Sequence, residues 1–178
     1  MLNQWGSYKG LRGGKRCYGG QDAYGMGSTV TTGVMASATW PANNLAIYFP
    51  VSLEELTQVA QFWCVNGAVA SGNVDMGLYA ADGTRLSSIG STAQSGTSTL
   101  QVFDVADLVL SPGWYYVALA LSSTVGTILA ATLANAALGR IGGLLEETSA
   151  FALPATATFA KFTRTISPRC GFTGSTVV

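Results

Sequence analysis

Carboxylates are the groups in this sequence best suited to acid–base catalysis. The chain contains no histidine, so the commonest general base and metal ligand is absent, and neither a Ser-His nor a Cys-His nucleophile can be assembled. What remains is a pair of opposed carboxylates, the device that glycoside hydrolases use. The candidate acids are Glu54, Glu55, Asp75, Asp82, Asp104, Asp107, Glu146 and Glu147.

Structural roles explain these acids better than catalysis does. Asp75 is predicted to point away from the core, and Asp82 falls in a turn. The other acids lie in loop or strand-edge contexts, where a solvated carboxylate is the ordinary finding. We therefore predict that the protein is not an enzyme, and a small glycosidase or depolymerase is the least favoured hypothesis.

Metal and cofactor sites are not predicted either. Cys17, Cys64 and Cys170 show no CxxC spacing and have no histidine to complete a zinc site. We interpret Cys64 as a small buried apolar residue, while a bridge between Cys17 and Cys170, within or between subunits, stays open. The stretch "GLRGGKR" lacks the spacing of a phosphate-binding loop. A calcium-binding site near Asp104 and Asp107 is a less favoured alternative, because the sequence contains no dense DxDxD array.

The composition indicates a protein that is covered by other chains over part of its surface. Hydrophobic residues make up 48% of the sequence and charged residues 10%, whereas the surface of a soluble domain usually carries roughly 25 to 35% charge. Nine basic and nine acidic residues give a net charge of zero. We therefore expect no specific nucleic-acid partner, because no overall positive field would attract one.

Residues 1–35 are predicted to form an extended, basic attachment arm, followed by one domain over residues 36–178. The arm is rich in Gly and Tyr and shows neither helix nor strand periodicity. No apolar leader segment opens the sequence, so synthesis in the cytosol is expected. The residues predicted to dock on a partner are Trp5, Tyr8, Lys9, Arg12, Lys15, Arg16 and Tyr18.

From Asn44 onward, short runs of strand-forming residues alternate with turn signals, which is typical of an all-β sandwich or barrel. "LAIYFPV" is the first predicted strand, and "TQVAQFWCV" follows after a turn. In the latter, Ala60, Phe62 and Cys64 are placed on one face, and Val59, Trp63 and Val65 on the other. "NVDMGLYAADGTRLSSIGS" is predicted to be a hairpin that turns at Asp82-Gly83, with Asp75 and Tyr79 pointing away from the buried face.

Three later stretches complete the predicted strands. "TLQVFDV" and "GWYYVALALS" are separated by the turn "LSPG". Residues 108–139 carry no charge, but their turn residues favour two buried strands over a membrane span, followed by an irregular segment with one helical turn. "ATFAKFTRTI" alternates in the manner of a strand. The predicted fold class is therefore an all-β, antiparallel, jelly-roll-like β-sandwich with an extended Gly-rich N-terminal arm.

Several stretches together resemble a β-sandwich module of structural proteins from tailed bacteriophages. The stretches are "VDMGLYAADGTRLSSIG", "LSPGWYYVALAL" and "FALPATATF" followed by "ISPRCGF", and the likeness covers roughly residues 44–171. None of these motifs is chemical, so they indicate architecture rather than activity. The residues that carry the likeness, here called the signature, are Gly77, Leu78, Tyr79, Asp82, Gly83, Leu110, Gly113, Trp114, Tyr115, Ala118, Leu119, Leu153, Pro154 and Ala155.

The resemblance implies a non-enzymatic virion protein, often trimeric, of a tail fibre, a baseplate or a capsid decoration. It implies assembly with itself and with other virion proteins, synthesis in the host cytoplasm and no membrane partner. A different hypothesis is a carbohydrate-binding module that recognises a host surface glycan. Its stacking platform would come from the aromatic residues Trp63, Tyr79, Trp114, Tyr115 and Tyr116. Burial of these rings in the core or at subunit contacts is the preferred interpretation.

Overall fold

A computed structural model describes residues 16–19 and 35–177, and for residues 16–19 only the backbone is described. Within these ranges the chain forms short strands and a single helix, α1 (Ala136–Ile141). The strands are β1 (Arg16–Gly19), β2 (Ala36–Thr39), β3 (Leu45–Leu53), β4 (Thr57–Val65), β5 (Asn73–Ala80), β6 (Arg85–Ser88), β7 (Thr92–Ala93), β8 (Leu100–Leu110), β9 (Gly113–Leu121), β10 (Thr127–Thr132), β11 (Leu145–Glu147), β12 (Ala160–Lys161), β13 (Ile166–Pro168) and β14 (Cys170–Thr176).

The described strands form three antiparallel sheets. The largest has the order β12-β11-β3-β9-β5-β6, with β7 also paired to β5. A four-stranded sheet has the order β1-β14-β4-β8, and a three-stranded sheet has the order β13-β10-β2. The prediction of an antiparallel all-β protein is therefore confirmed, while the jelly-roll connectivity stays a prediction.

The main core lies on one face of the central strands β3, β9 and β5. Alternate residues such as Phe49, Leu119 and Met76 project to this face and are completely buried. They pack with Phe62 of β4 and Phe172 of β14 from the four-stranded sheet. The two-residue period of a strand delivers these side chains to one face, so this part of the core follows directly from the sequence pattern.

The opposite face of the same three strands is buried as well. Ala46, Tyr48, Tyr79 and Ala118 form a second apolar cluster there. Residues 149–159, here called the covering segment, lie over this face with almost no regular structure. Because both faces are buried, β3 and β9 are nearly continuous apolar runs rather than alternating ones.

The predicted hairpin is confirmed, and one face assignment in β4 is corrected. The chain turns from β5 into β6 through Asp82-Gly83, with Gly83 at φ 89°. In β4, Val59 and Phe62 are both fully buried, although strict alternation would place them on opposite faces. The pairing of β4 shifts register between Val59 and Gln61. This β-bulge inserts one residue and reverses the alternation, which is why the predicted position of Val59 was wrong.

The uncharged stretch from residue 108 to residue 139 contains β9 and β10, as predicted. The irregular continuation includes the short helix α1, whose N-terminus is capped by Asn135: its side-chain oxygen accepts hydrogen bonds from the backbone N–H groups of Ala137 and Leu138 at 3.0 and 3.3 Å. A Cβ at Gly139 would lie 2.5 Å from the ring of Phe162, so this helix packs too closely for a larger residue.

The predicted strand "ATFAKFTRTI" is largely wrong. Only Ala160–Lys161 forms strand β12 within it, before β13 begins at Ile166. Carboxylates replace a strand partner here, because Glu147 accepts a hydrogen bond from the backbone N–H of Thr158 and Glu146 accepts one from that of Thr163. The alternation of apolar and polar residues in this stretch therefore arises from contacts with neighbouring side chains and does not indicate pairing in a β-sheet.

Part of the predicted arm pairs with the domain. Strand β1 (Arg16–Gly19) lies antiparallel to β14 at one edge of the four-stranded sheet. Residues 1–15 and 20–34 lie outside the described residues, so the proposed boundary at residue 35 stays a prediction.

Candidate functional site

Two parts of the signature, one in strand β5 and one in the covering segment, meet at the second buried face. The hydroxyl of Tyr79 donates a hydrogen bond of 2.7 Å to the carbonyl oxygen of Pro154. Gly77 lies beneath Leu153, where an added Cβ would come within 3.0 Å of a Leu153 methyl group. These residues are separated by about 75 positions in sequence, yet they form one contact.

Asp75 is the buried anchor of this contact, and its predicted solvated position was wrong. The residue is fully buried. One carboxylate oxygen accepts a hydrogen bond from the Ser88 hydroxyl at 2.8 Å, and the other accepts one from the backbone N–H of Leu153 at 2.9 Å. Asp75 does point away from the main core, as alternation predicted, but the covering segment closes that face.

The electrostatics of Asp75 show competition between burial and hydrogen bonding. Desolvation raises the pKa of the Asp75 carboxyl above its ordinary value, while the hydrogen bonds from Ser88 and Leu153 and the nearby charge of Arg85 oppose the rise. A raised carboxyl pKa in a cleft is a feature of many catalytic acids. Here both oxygens are occupied by internal donors, so the carboxylate holds the chain rather than addressing a substrate.

Arg85 fastens the same segment from the neighbouring strand β6. Its guanidinium donates to the carbonyl oxygen of Leu153, and its backbone N–H donates to the carbonyl oxygen of Ala155 at 2.9 Å. One residue earlier, Thr84 forms an isolated antiparallel bridge with Thr156. Main-chain and side-chain donors of the hairpin therefore bind the covering segment over several consecutive residues.

The hairpin turn belongs to this contact too. The carbonyl oxygen of Gly83 accepts a hydrogen bond of 2.8 Å from the backbone N–H of Ala157. A Cβ at Gly83 would lie 2.9 Å from the Ala157 carbonyl oxygen. Asp82 is exposed, and its carboxylate accepts a hydrogen bond from the backbone N–H of Thr84 at 2.9 Å, which lowers the pKa of Asp82. Asp82 and Gly83 therefore shape the turn, as predicted, and Gly83 also contacts the covering segment.

Two buried tyrosines complete the second face. The rings of Tyr48 and Tyr79 meet edge to face, with centroids 5.3 Å apart, and Phe159 of the covering segment packs against Tyr48 at 5.0 Å. The Tyr48 hydroxyl donates a hydrogen bond of 2.6 Å to Glu147. Burial raises the pKa of both phenols, so both remain protonated donors.

Glu146, the other buried acid of the described residues, also has internal partners. It lies 3.2 Å from the guanidinium of Arg164 and accepts hydrogen bonds from the backbone N–H and the hydroxyl of Thr163 at 2.9 and 2.8 Å. The exposed acids Asp104 and Asp107 accept hydrogen bonds from Gln61 and Gln58 at 2.6 and 2.7 Å. In the described part of the chain, no group of three or more potential metal ligands is brought together.

The aromatic residues considered as a platform lie in different environments. Tyr79 is fully buried, and Tyr116 packs on Phe159 with centroids 4.7 Å apart. Trp63 is half-buried, and its buried indole N–H has no hydrogen-bond partner among the described residues. Trp114, just after Gly113 at the start of β9, has an exposed fraction of 63%.

Tyr115 is half-buried on the opposite face of β9 from Trp114, and its hydroxyl donates to the Ser111 carbonyl at 2.8 Å. The five aromatic residues therefore do not form one platform, and Trp114 is the one among them that is open to a ligand.

The predicted docking residues of the arm are not tested by these contacts. Trp5, Tyr8, Lys9, Arg12 and Lys15 lie outside the described residues. Arg16 and Tyr18 belong to β1, where Tyr18 stands opposite Phe172 in the pairing with β14.

Sequence reasoning missed a buried amide network that joins the loops after β4 and β7 to the first residues of strands β8 and β10. Asn66 is fully buried, donates to Gln101 at 3.0 Å and accepts a hydrogen bond from Gln94 at 3.0 Å. Gln94 also donates to the carbonyl oxygen of Thr127 at 2.7 Å. These amides are far apart in sequence and follow no period, so no local signal indicates their convergence.

Comparisons with family models, with curated proteins and with solved structures each returned no match. Within the described residues, no helix is long and apolar enough to cross a membrane.

Proposed function

We propose that this protein is a non-enzymatic structural component of a bacteriophage particle, which forms a trimer and docks on a larger capsid or tail assembly through its N-terminal arm. One observation carries the non-enzymatic part. The polar groups best suited to chemistry, Asp75, Tyr79 and Arg85, donate to or accept from the covering segment or its neighbours. These three side chains therefore stabilise the fold through internal hydrogen bonds.

The signature supports the phage part of the proposal. Gly77 and Tyr79 carry the resemblance on one side of the contact, and they touch Leu153 and Pro154, which carry it on the other side. Because parts of the motif that are distant in sequence contact each other, they belong to one structural unit. Its resemblance to a virion module therefore concerns a whole packing arrangement rather than scattered identities.

The outward face of the four-stranded sheet supports self-association. Leu100 and Val102 of β8 have exposed fractions of 58% and 46%. They stand directly opposite Val65 and Trp63 of β4, so four apolar side chains share one face. Contiguous apolar surface of this kind is typical of protein–protein contacts. We expect the trimer contact to include this face.

The charge distribution supports a separate docking role for the arm. Four of the nine basic residues, Lys9, Arg12, Lys15 and Arg16, precede the first acid, Asp22. A short basic segment next to a domain that self-associates through apolar contacts can bind an acidic groove of another virion protein without competing for the same surface.

The oligomeric part is tested by measuring the solution mass of the full chain by multi-angle light scattering. We expect three times the 18.4 kDa chain mass. Substitution of Val102 by Asp should shift the mass towards the monomer, because a charge would be buried in the contact. The matched substitution Val125→Asp, at an exposed loop position between β9 and β10 and off the four-stranded sheet, should leave the mass unchanged. A wild-type chain that remains a monomer at high concentration would contradict this part of the proposal.

The docking part is tested by deleting residues 2–15, which leaves strand β1 and its pairing with β14 in place. The truncated chain should retain the oligomeric mass of the full chain. When a tagged copy is expressed during phage growth, purified particles should carry the full-length chain and lack the truncated one. Equal incorporation of both would show that docking does not use the arm.

The exposure of Trp114 favours a second candidate function, recognition of a host surface glycan. A flat indole that is 63% exposed offers a stacking surface for a sugar ring. Binding on a glycan array that disappears in Trp114→Ala and persists in Val109→Ala would establish this candidate. Absence of binding by the wild-type chain would leave Trp114 as an assembly contact.

A further inference from the structure

Two cysteines face each other across the pairing of β4 and β14. Cys64 stands directly opposite Cys170 in the antiparallel register. The next pair along, Val65 and Arg169, is joined by a hydrogen bond from the Val65 N–H to the Arg169 carbonyl oxygen at 3.0 Å. In an antiparallel ladder the two pair types alternate, so Cys64 and Cys170 form a non-hydrogen-bonded pair, whose Cα atoms lie only about 4.5 Å apart.

Both cysteine side chains point into the main core. Cys64 and Cys170 have exposed fractions of 0% and 1%, and both belong to the cluster that includes Phe62 and Phe172. The pair spacing of about 4.5 Å falls within the Cα separation that a disulfide spans, roughly 4.4 to 6.8 Å. Position, direction and spacing therefore agree with a covalent bridge, although both cysteines are free thiols in this structure.

The same register excludes a bridge between Cys17 and Cys170 within one chain. Cys17 of β1 stands opposite Thr173, three residues along β14 from Cys170. Three residues of a strand span about 10 Å, which exceeds the reach of a disulfide, about 7 Å.

We propose that Cys64 and Cys170 are a site of disulfide formation that ties the C-terminal strand β14 to β4. The oxidant is a small-molecule disulfide such as oxidised glutathione. One cysteine thiolate attacks this disulfide and forms a mixed disulfide, releasing one glutathione thiolate. The second cysteine thiolate then attacks the protein-bound sulfur and displaces the second glutathione. The two protein thiols lose two protons and two electrons, and the oxidant is reduced to two thiols.

Burial determines when this reaction takes place. Desolvation raises the pKa of the Cys64 thiol to about 12 and that of the Cys170 thiol well above its ordinary value. Few thiolates are present once β14 has closed, and the small oxidant cannot reach them. The bridge therefore forms during folding or while β14 is open, and the closed sheet then preserves whichever state was formed.

The test is refolding of the full chain with oxidised glutathione, followed by denaturation, alkylation of free thiols and mass spectrometry. One tryptic peptide, residues 17–85, contains both Cys17 and Cys64, so the experiment is performed in parallel on Cys17→Ser. We expect this variant to contain no alkylated cysteine and to yield residues 17–85 linked to residues 170–178. Two alkylated cysteines in refolded Cys17→Ser would overturn the proposal.

Stability provides an independent measurement. Oxidised Cys17→Ser should unfold about 10 °C above its reduced form, because the bridge closes a loop of roughly 100 residues and restricts the unfolded chain. Cys64→Ala and Cys170→Ala, combined with Cys17→Ser, should unfold at the same temperature with and without oxidant. A bridge whose formation leaves the unfolding temperature of Cys17→Ser unchanged would contradict a link between correctly paired strands.

Discussion

The two faces of the central sheet are buried by different means. The first face packs through apolar side chains of regular strands, such as Phe49 and Leu119, on the four-stranded sheet. The second face is closed by the covering segment, which has little regular structure and is held by Asp75, Tyr79 and Arg85 through specific hydrogen bonds. The first arrangement depends on the size of the apolar side chains and on their alternation along the strands. The second depends on hydrogen bonds made by individual polar atoms.

This difference explains why the packing of the first face can be predicted from the sequence and the packing of the second face cannot. Burial of strand side chains tolerates many residues of similar size. A segment without a sheet ladder must satisfy its backbone groups with particular partners, since an unpaired buried donor is costly. The second face therefore concentrates the residues of the signature, and single-atom changes there should have clear effects.

The largest expected effect is on the first face. Phe49→Ala should lower the free energy of unfolding by about 4 kcal/mol, because it removes a fully buried ring and leaves a cavity. Urea denaturation followed by tryptophan fluorescence measures this loss. Val109→Ala, at an exposed position, should change stability by less than about 0.5 kcal/mol. Similar losses in both variants would mean that this face is not the main core.

On the second face, Asp75→Ala should lower the free energy of unfolding by about 3 kcal/mol. The change leaves the Ser88 hydroxyl and the Leu153 N–H without their acceptors. Asp75→Asn retains one side-chain oxygen and should lose less. A loss in Asp75→Ala no greater than in Val109→Ala would remove Asp75 as the anchor.

Asp75 should also give stability a characteristic dependence on pH. Its pKa is raised in the folded chain, so the folded chain binds this proton more tightly than the unfolded chain does. Its contribution is fully present below the ordinary pKa of 3.8 and is lost as the pH rises through the folded-state pKa. The stability difference between wild type and Asp75→Asn should therefore fall as the pH rises from about 3 to about 7. A difference that increases over this range would show that the Asp75 pKa is lowered instead.

The hairpin turn offers a smaller effect with a matched control. Gly83→Ala should cost about 2 kcal/mol, because Gly83 has φ 89° and an added Cβ meets the Ala157 carbonyl oxygen. Gly90→Ala imposes a similar backbone strain at φ 68° but meets no atom of the described residues within 4 Å, so it should cost about 1 kcal/mol. Thermal unfolding of both variants measures the difference. Equal losses would indicate that Gly83 is required for the turn alone.

The smallest expected effect concerns one hydroxyl. Tyr79→Phe removes the donor to the Pro154 carbonyl and should cost about 1 kcal/mol. Tyr115→Phe removes a similar bond to Ser111, but this bond is exposed to solvent, so the change should cost only a few tenths of a kcal/mol. A larger loss in Tyr115→Phe would reverse the ranking of the two sites.

The strands of the first face were predictable because local patterns determine them. Alternation together with Asp82-Gly83 identified β5 and β6, and a run of apolar and aromatic residues identified β9. The bulge that moves Val59 into the core was not predictable, since it depends on how β4 pairs with both neighbours. Sequence alternation also misread residues 157–166, where the carboxylates of Glu146 and Glu147 take the place of a strand partner.

The site was predictable only as a set of residues. Resemblance selected Gly77, Tyr79, Leu153 and Pro154, but nothing local shows that they touch across about 75 positions. Alternation correctly placed Asp75 on the second face. The prediction that this face is exposed to solvent was wrong, because Asp75 is buried and no sequence pattern indicates where the covering segment packs. The periodicity of the sequence therefore does not predict where an irregular segment, distant in sequence, packs on the sheet.

Hydrogen exchange at the Leu153 amide reports whether the Asp75 carboxylate holds the covering segment on the sheet. In the wild-type chain this N–H donates to Asp75 beneath the covering segment and should exchange slowly. In Asp75→Ala the Leu153 amide should lose protection by at least about tenfold beyond the loss at Val117 in β9, because the segment detaches while the sheet remains. Equal loss of protection at both positions, or none at Leu153, would contradict the account of a segment fastened by individual polar atoms.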